Sequence, residues 1–150
     1  MLFRLAYYST NLLKQANDPR RSELRKIVLS AGTNNGPKGI TGGLMFNRQF
    51  FGQVLEGERA SVSELFCRIA SDPRHCSVVL VEAVEVASRQ FDRWAMGLAE
   101  KNETAEKLNA KFGFAEGFDP TGLSADLFLK YILEMVTLED QLISVSVPRW

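Results

Sequence analysis

Residues 2–9 (LFRLAYYS) alternate and are rich in β-formers, so a strand is expected almost at the start. A polar stretch with Asn17, Asp18 and Pro19 follows. Between Ser22 and Ser30, Leu24, Ile27 and Val28 fall at 3,4 spacing, which predicts an amphipathic helix. The glycines and proline of 32–39 (GTNNGPKG) end it. Two strand-like runs, Ile40–Phe46 and Phe50–Glu56, flank Asn47-Arg48-Gln49, a connection short enough for a hairpin, and Gly57 closes the second run. Ser61 as N-cap, Glu64 three positions later, and Val62, Leu65, Phe66 and Ile69 on one face predict a helix over 61–71, with Pro73 beyond it. Ser77–Val86 is a near-continuous apolar run broken by Glu82 and Glu85, expected as a mostly buried strand. Alternation returns over Phe91–Glu100 as a fifth strand.

The resulting order is β-α-β-β-α-β-β. Its first six elements are those of the ferredoxin-like split βαβ unit, an α+β fold with both helices on one face of the sheet. Residues 103–112 predict a short helix, a Gly/Pro loop follows, and Ser124 can cap a helix running to about Ile143. Strand parity places Tyr7 with Phe3 and Leu5, Gln53 with Phe51 and Leu55, and Trp94 with Met96 and Leu98. The opposite face carries small or apolar residues, among them Ala6, Gly52, Val54, Ala95, Gly97 and Ala99, and needs cover. The final helix, with Leu127, Tyr131, Leu138 and Leu142, suits that role as a helical extension on the second face. Its apolar positions wrap more than one face, which predicts burial against another chain and hence a homo-oligomer.

Composition narrows the function classes. The 150 residues suit one domain, and 45% hydrophobic with 24% charged is ordinary globular composition. Eighteen basic residues balance 18 acidic ones, which supplies no general attraction to nucleic acid or a membrane surface. The apolar runs fall short of the roughly 20 residues that span a bilayer. Met1-Leu2-Phe3-Arg4 lacks the order of a signal peptide, so a cytoplasmic location is expected. Cys67 and Cys76 make no disulfide framework, and with His75 they do not match a zinc spacing. Gly32 and Gly36 have three residues between them, not four, and Lys38 precedes Gly39, so a phosphate loop is excluded. Asn102-Glu103-Thr104 is a glycosylation sequon without meaning in a cytoplasmic chain, and no Ser-His-Asp set or carboxylate pair stands out.

Two otherwise apolar strand faces each carry one polar member, Tyr7 and Gln53. In a split βαβ sheet strands one and three are neighbours, so these two can meet beneath the helices. A self-satisfied Tyr–Gln core pair is the competing reading. Asn34-Asn35 fits a helix end and turn, or an amide pair facing a donor–acceptor edge such as the imide of a flavin. Arg68 and Arg74-His75 read as solvated, and Cys67 as packing.

Taken together, RLAYYS, NNGPKGITGGL, FFGQVLEGE, RIASDPRH and FDRWAM, in this order, resemble the BLUF family of blue-light sensors. The resemblance covers about 2–100, a flavin-binding sensor domain, and 101–150 is similar to the helical extension of short stand-alone members. It implies non-covalent FAD, with FMN or riboflavin as alternatives, and a photoreceptor rather than an enzyme. Tyr7 matches the tyrosine that donates an electron and a proton, and Gln53 the glutamine between it and the flavin. Asn34 and Asn35 match the pair on the polar ring edge. Arg68, Ile69, Arg74 and His75 match positions around the cofactor, with Ile69 against the ring. Trp94 and Met96 match the strand-five signalling positions that exchange places or partners near the glutamine. The output would be a light-dependent contact with an unknown downstream signalling protein. Gly52 and Gly43 depart from the larger apolar residues usual there, which implies a looser outer face at Gly52. The competing class is a colourless ferredoxin-like regulatory or acylphosphatase-like domain.

Overall fold

The computed structural model describes residues 1–13, 39–98 and 103–137, with side chains except over 94–98 and at Thr104. The strands are β1 (Leu2–Asn11), β2 (Thr41–Phe46), β3 (Phe50–Glu58), β4 (His75–Glu85) and β5 (Trp94–Leu98). The helices are α1 (Arg59–Ala70), α2 (Glu103–Lys111) and α3 (Ala125–Thr137), with a 3-10 turn at Pro120–Gly122. The helix expected over 22–30 lies outside the described residues.

The sheet has the order β4-β1-β3-β2-β5. Pairs β1–β3, β1–β4 and β2–β3 are antiparallel, and β5 lies parallel to β2. This is the ferredoxin-like arrangement with a fifth strand added, and β1 and β3 are the central neighbours expected. Alternation sorts the core into two layers. Leu5, Tyr7, Leu44 and Leu55 meet Val62 of α1 on the inner face, while Ala6, Met45 and Val54 meet Phe128, Tyr131 and Ile132 on the outer face. The last helix is therefore the expected cover of the second face.

Several local expectations are corrected. Glu58, not Ser61, caps α1, its side chain accepting from the Ala60 N–H, so the helix starts at Arg59 directly from β3. Gly57 does not close β3; it pairs with Phe3 and the strand continues to Glu58. The run after Pro73 is not a mostly buried strand. Among the described residues β4 pairs with β1 alone, and Val79 and Leu80 are 41% and 54% exposed. Its apolar residues reflect an edge strand that carries little core. β5 begins at Trp94 rather than Phe91, because the Gln90 and Phe91 N–H groups are bound by the Glu56 carboxylate instead of a ladder.

The outer face is not loosened by Gly52. A Cβ there would lie 3.2 Å from both Ile132 Cδ1 and Phe128 Cζ, so the missing side chain is the space that α3 fills. Ser124 caps α3 as expected, accepting from Leu127 N–H at 3.3 Å. The helix is described to Thr137; its expected continuation to Ile143 lies outside the described residues.

Residues after α2 build an aromatic block under α3. Tyr131 stacks on Phe118 with centroids 4.6 Å apart, and its hydroxyl donates to Asn109 Oδ1 at 2.6 Å. Asn47 in the hairpin turn donates to the Phe118 carbonyl, tying the sheet to this block. Tyr131→Phe would leave the buried Asn109 oxygen without its donor. The expected outcome is a loss of about 1–3 kcal/mol in urea unfolding, with the inner face undisturbed.

Candidate functional site

The register of the central strands sets Tyr7 directly opposite Gln53. Opposed side chains on one face of such a pair come within roughly 5 Å at Cβ, and here the phenol donates to Gln53 Oε1. Both residues are buried, 2% and 4% exposed. Burial pushes the Tyr7 phenol well above its ordinary pKa, and the Asp72 carboxylate adds to the rise. The phenol therefore keeps its proton and stays a donor. With Oε1 taken by Tyr7, the NH2 group is Gln53's donor capacity toward anything else.

The same rung extends outward across the sheet. Gln53 faces Leu44 on β2, and Leu44 faces Met96 on β5. Met96 thus lies two strand spacings from Gln53, about 10 Å between backbones. Trp94 lies opposite Gly42.

The end of α1 closes the site above β1. Phe66 sits 5.6 Å from the Tyr7 ring, and Ile69 packs against the inner cluster. His75, the first residue of β4, is braced at both nitrogens. Nε2 lies 2.6 Å from the Ile69 carbonyl, and Nδ1 lies 2.7 Å from Ser9 Oγ. A carbonyl only accepts, so Nε2 carries a hydrogen, and Ser9 meets Nδ1 with its hydroxyl. The imidazole thereby locks α1 to β1, and its ring lies against those of Tyr7 and Phe51, with centroids 6.2 and 6.1 Å away. Arg74 Nε donates to Asp72 Oδ1 at 2.9 Å, and this contact holds the Asp72 carboxyl below its ordinary range. Arg68 is exposed in the last turn of α1.

Tyr7, Gln53, Ile69 and His75 are thus brought together, with Arg74 beside them through Asp72 and Arg68 on the exposed side of the helix. Trp94 and Met96 are placed by register alone, and Asn34 and Asn35 lie outside the described residues. Sequence reading missed Ser9 and Asp72. The signal for Ser9 was available, since strand parity puts it on the Tyr7 face one position further along. Among the described residues no group of three or more His, Cys, Asp or Glu is placed to hold a metal, and no helix is long and apolar enough to cross a membrane.

The sequence model of the BLUF family, described as sensors of blue light using FAD, matches residues 2–97. The photoactivated adenylate cyclase subunit beta of Euglena longa is 34% identical over 80 residues, 53% of this chain and 9% of that protein. The blue light- and temperature-regulated antirepressor BluF of Escherichia coli K12 is 30% identical over 82 residues, 55% of this chain and 20% of that protein. The match therefore spans only a small part of these longer relatives. Among solved structures, the photo-activated state of BlsA superposes with a TM-score of 0.77 at 29% identity, covering 93% of this chain and 97% of that one. The dark-state structure of BlrB gives 0.70 at 26% identity, covering 91% and 97%.

Proposed function

Because this chain belongs to the BLUF family, sensors of blue light using FAD, we propose that it is a conformational switch in which Tyr7 and Gln53 carry the photochemistry and no substrate is turned over. The observation that carries this reading is the buried hydrogen bond from the Tyr7 phenol to Gln53 on the central rung of the sheet.

The residues present fit a flavin. Gln53 offers a buried amide, Phe66 and Ile69 an apolar wall, and Arg68 positive charge at the margin, with Arg74 beside it held by Asp72. In this reading Asn34 and Asn35 hold the polar ring edge, and His75 lines the site with its ring. When bound, the flavin supplies blue-light absorption and, once excited, a strong oxidant.

With the flavin bound and excited as the oxidant, Tyr7 would be the donor of an electron and its phenolic proton and would take both back, so the chain would end the cycle with the atoms it began with. Gln53 Oε1 already accepts from that hydroxyl and is the proton's first station. What outlasts the light is the arrangement of Gln53, whose amide rotates or tautomerises. Its changed hydrogen bonding shifts absorption to the red. Met96 stands on the same rung and Trp94 two residues before it on the same strand, so β5 receives the change. β5 and α3 then repack, altering the contact with a second copy or with a downstream protein. Residues 2–100 act as sensor and 101–150 as output extension.

Purified chain is expected to be yellow, to release FAD on heating, and to show a blue-light red shift that reverses in darkness. A colourless protein that takes up no flavin would favour the ferredoxin-like regulatory or acylphosphatase-like alternative. Limited proteolysis after α3 is expected to differ between dark and light; identical patterns would count against the output route.

A further inference from the structure

Glu56 is a fully buried carboxylate to which the photochemistry gives no task. It lies on the outer face, opposite Arg4 of β1 and Thr41 of β2. A charge in such a place is retained only if its oxygens are well compensated. Here Oε1 accepts from the N–H groups of Gln90 at 2.9 Å and Phe91 at 2.8 Å, and Oε2 lies 3.6 Å from Arg4 Nη1. The Glu56 backbone carbonyl is bound as well, accepting from Arg89 Nη1 at 3.0 Å. The same guanidinium donates to Thr41 Oγ1 at 2.6 Å and to the Gly39 carbonyl at 2.8 Å. One strand residue thus binds three successive loop residues, 89 to 91, and Arg89 joins that loop to the turn leading into β2.

Location gives these bonds a consequence. β5 begins just after this loop and, among the described residues, has a strand neighbour on one side only. Phe91, 3% exposed, sits in the outer cluster with Ile132 and Val136 of α3. At the other end, Gly39 directly follows the segment that carries Asn34 and Asn35.

We propose that Glu56 and Arg89 form a latch: they are positioning residues that fix the turn at Gly39–Thr41 to the leader of β5, so that a displacement at the site is delivered to β5 and α3 rather than lost in the loop. The input to the latch rests on the switch reading above; the latch itself is tested without it.

The experiment measures amide exchange by mass spectrometry on the flavin-loaded full chain, dark and under blue light, for Arg89→Gln and Glu56→Gln. In both variants the red shift is expected to keep its size. Exchange over 90–98 in the dark is expected to quicken about tenfold, and the light–dark difference in α3 to shrink roughly fivefold. Unchanged dark exchange with an undiminished light–dark difference in both variants would overturn the latch. If Glu56→Gln fails to fold, Arg89→Gln decides alone, because its side chain lies at the surface. An unsubstituted chain without a red shift would defeat the switch reading, while dark exchange in the variants would still decide the latch.

Discussion

Tyr7→Phe is expected to leave a folded, yellow protein in which blue light no longer produces the red shift. The substitution removes one oxygen. The ring keeps its contacts with Phe66 and His75, so the inner face stays packed. Its cost is the unpaired Gln53 oxygen, about 1–3 kcal/mol, which a domain with roughly 5–15 kcal/mol of stability can absorb. What cannot be replaced is the donor: phenylalanine has no labile proton and no hydroxyl for Gln53 to accept from. The yield of the shifted state is therefore expected to fall by about a hundredfold or more, equivalent to losing close to 3 kcal/mol of barrier lowering. Gln53→Ala should give the same photochemical silence for a different reason. It keeps the tyrosine but removes the amide whose rearrangement is the stored signal, and it leaves the Tyr7 hydroxyl buried without its acceptor. Difference spectra before and after illumination, with flavin content measured in parallel, check both. A shift of normal size in either variant would sink the assignment.

Why that pair was legible in the sequence is a matter of period. Strand alternation put Tyr7 and Gln53 each on an apolar face, and the split βαβ order made their strands neighbours, so the two could meet; that they share one rung is set by the register. The cover on the opposite face was legible in the same way, from the small residues of the outer rows and the apolar helix after Ser124, although Tyr131 faces the sheet with Phe128 and Ile132 while Leu127 is exposed. Other features depend on tertiary context. An apolar composition cannot tell an edge strand from a buried one, so the sequence predicts β4 in the core although among the described residues only β1 pairs with it. Ser61 and Glu64 carry a capping pattern, yet β3 runs two residues past Glu56 and Glu58 takes the cap first. Glu56 looked like one acidic residue in FGQVLEGE; its burial arises from a loop more than thirty residues away, which no local pattern encodes. Gly43 and Gly52 read as departures in the sequence, yet Ile132 of α3 lies where a Cβ at either would point.

Adjacent glycines in β2 should answer substitution in opposite ways, separating the sensing face from the output face. Gly42 pairs with Leu55 on the inner side, at φ +155°, and a Cβ there would lie 1.9 Å from the Val54 backbone oxygen. Backbone cannot move aside, so alanine must pry β2 from β3. Gly42→Ala is expected to cost about 4 kcal/mol or more, the size that marks a broken backbone arrangement, and to give protein that holds little flavin. Gly43 faces the other way. Its Cβ would meet Phe91 Cε2 at 3.0 Å and the Ile132 and Val136 methyls at 3.2 Å, all side-chain ends that can shift. Gly43→Ala is expected to cost about 1 kcal/mol, and Gly43→Val roughly 1–3 kcal/mol by overpacking. The valine variant should remain yellow and keep the red shift, since the Tyr7–Gln53 rung lies on the other face of the sheet. Its α3 should be lifted from the sheet and cleaved faster by protease, in the dark as in the light. Urea unfolding followed by flavin absorbance, with limited proteolysis alongside, distinguishes the two positions. Gly42→Ala as stable as Gly43→Ala would refute the close approach of β2 and β3, and a Gly43→Val chain without photochemistry would show that the two faces are not separable.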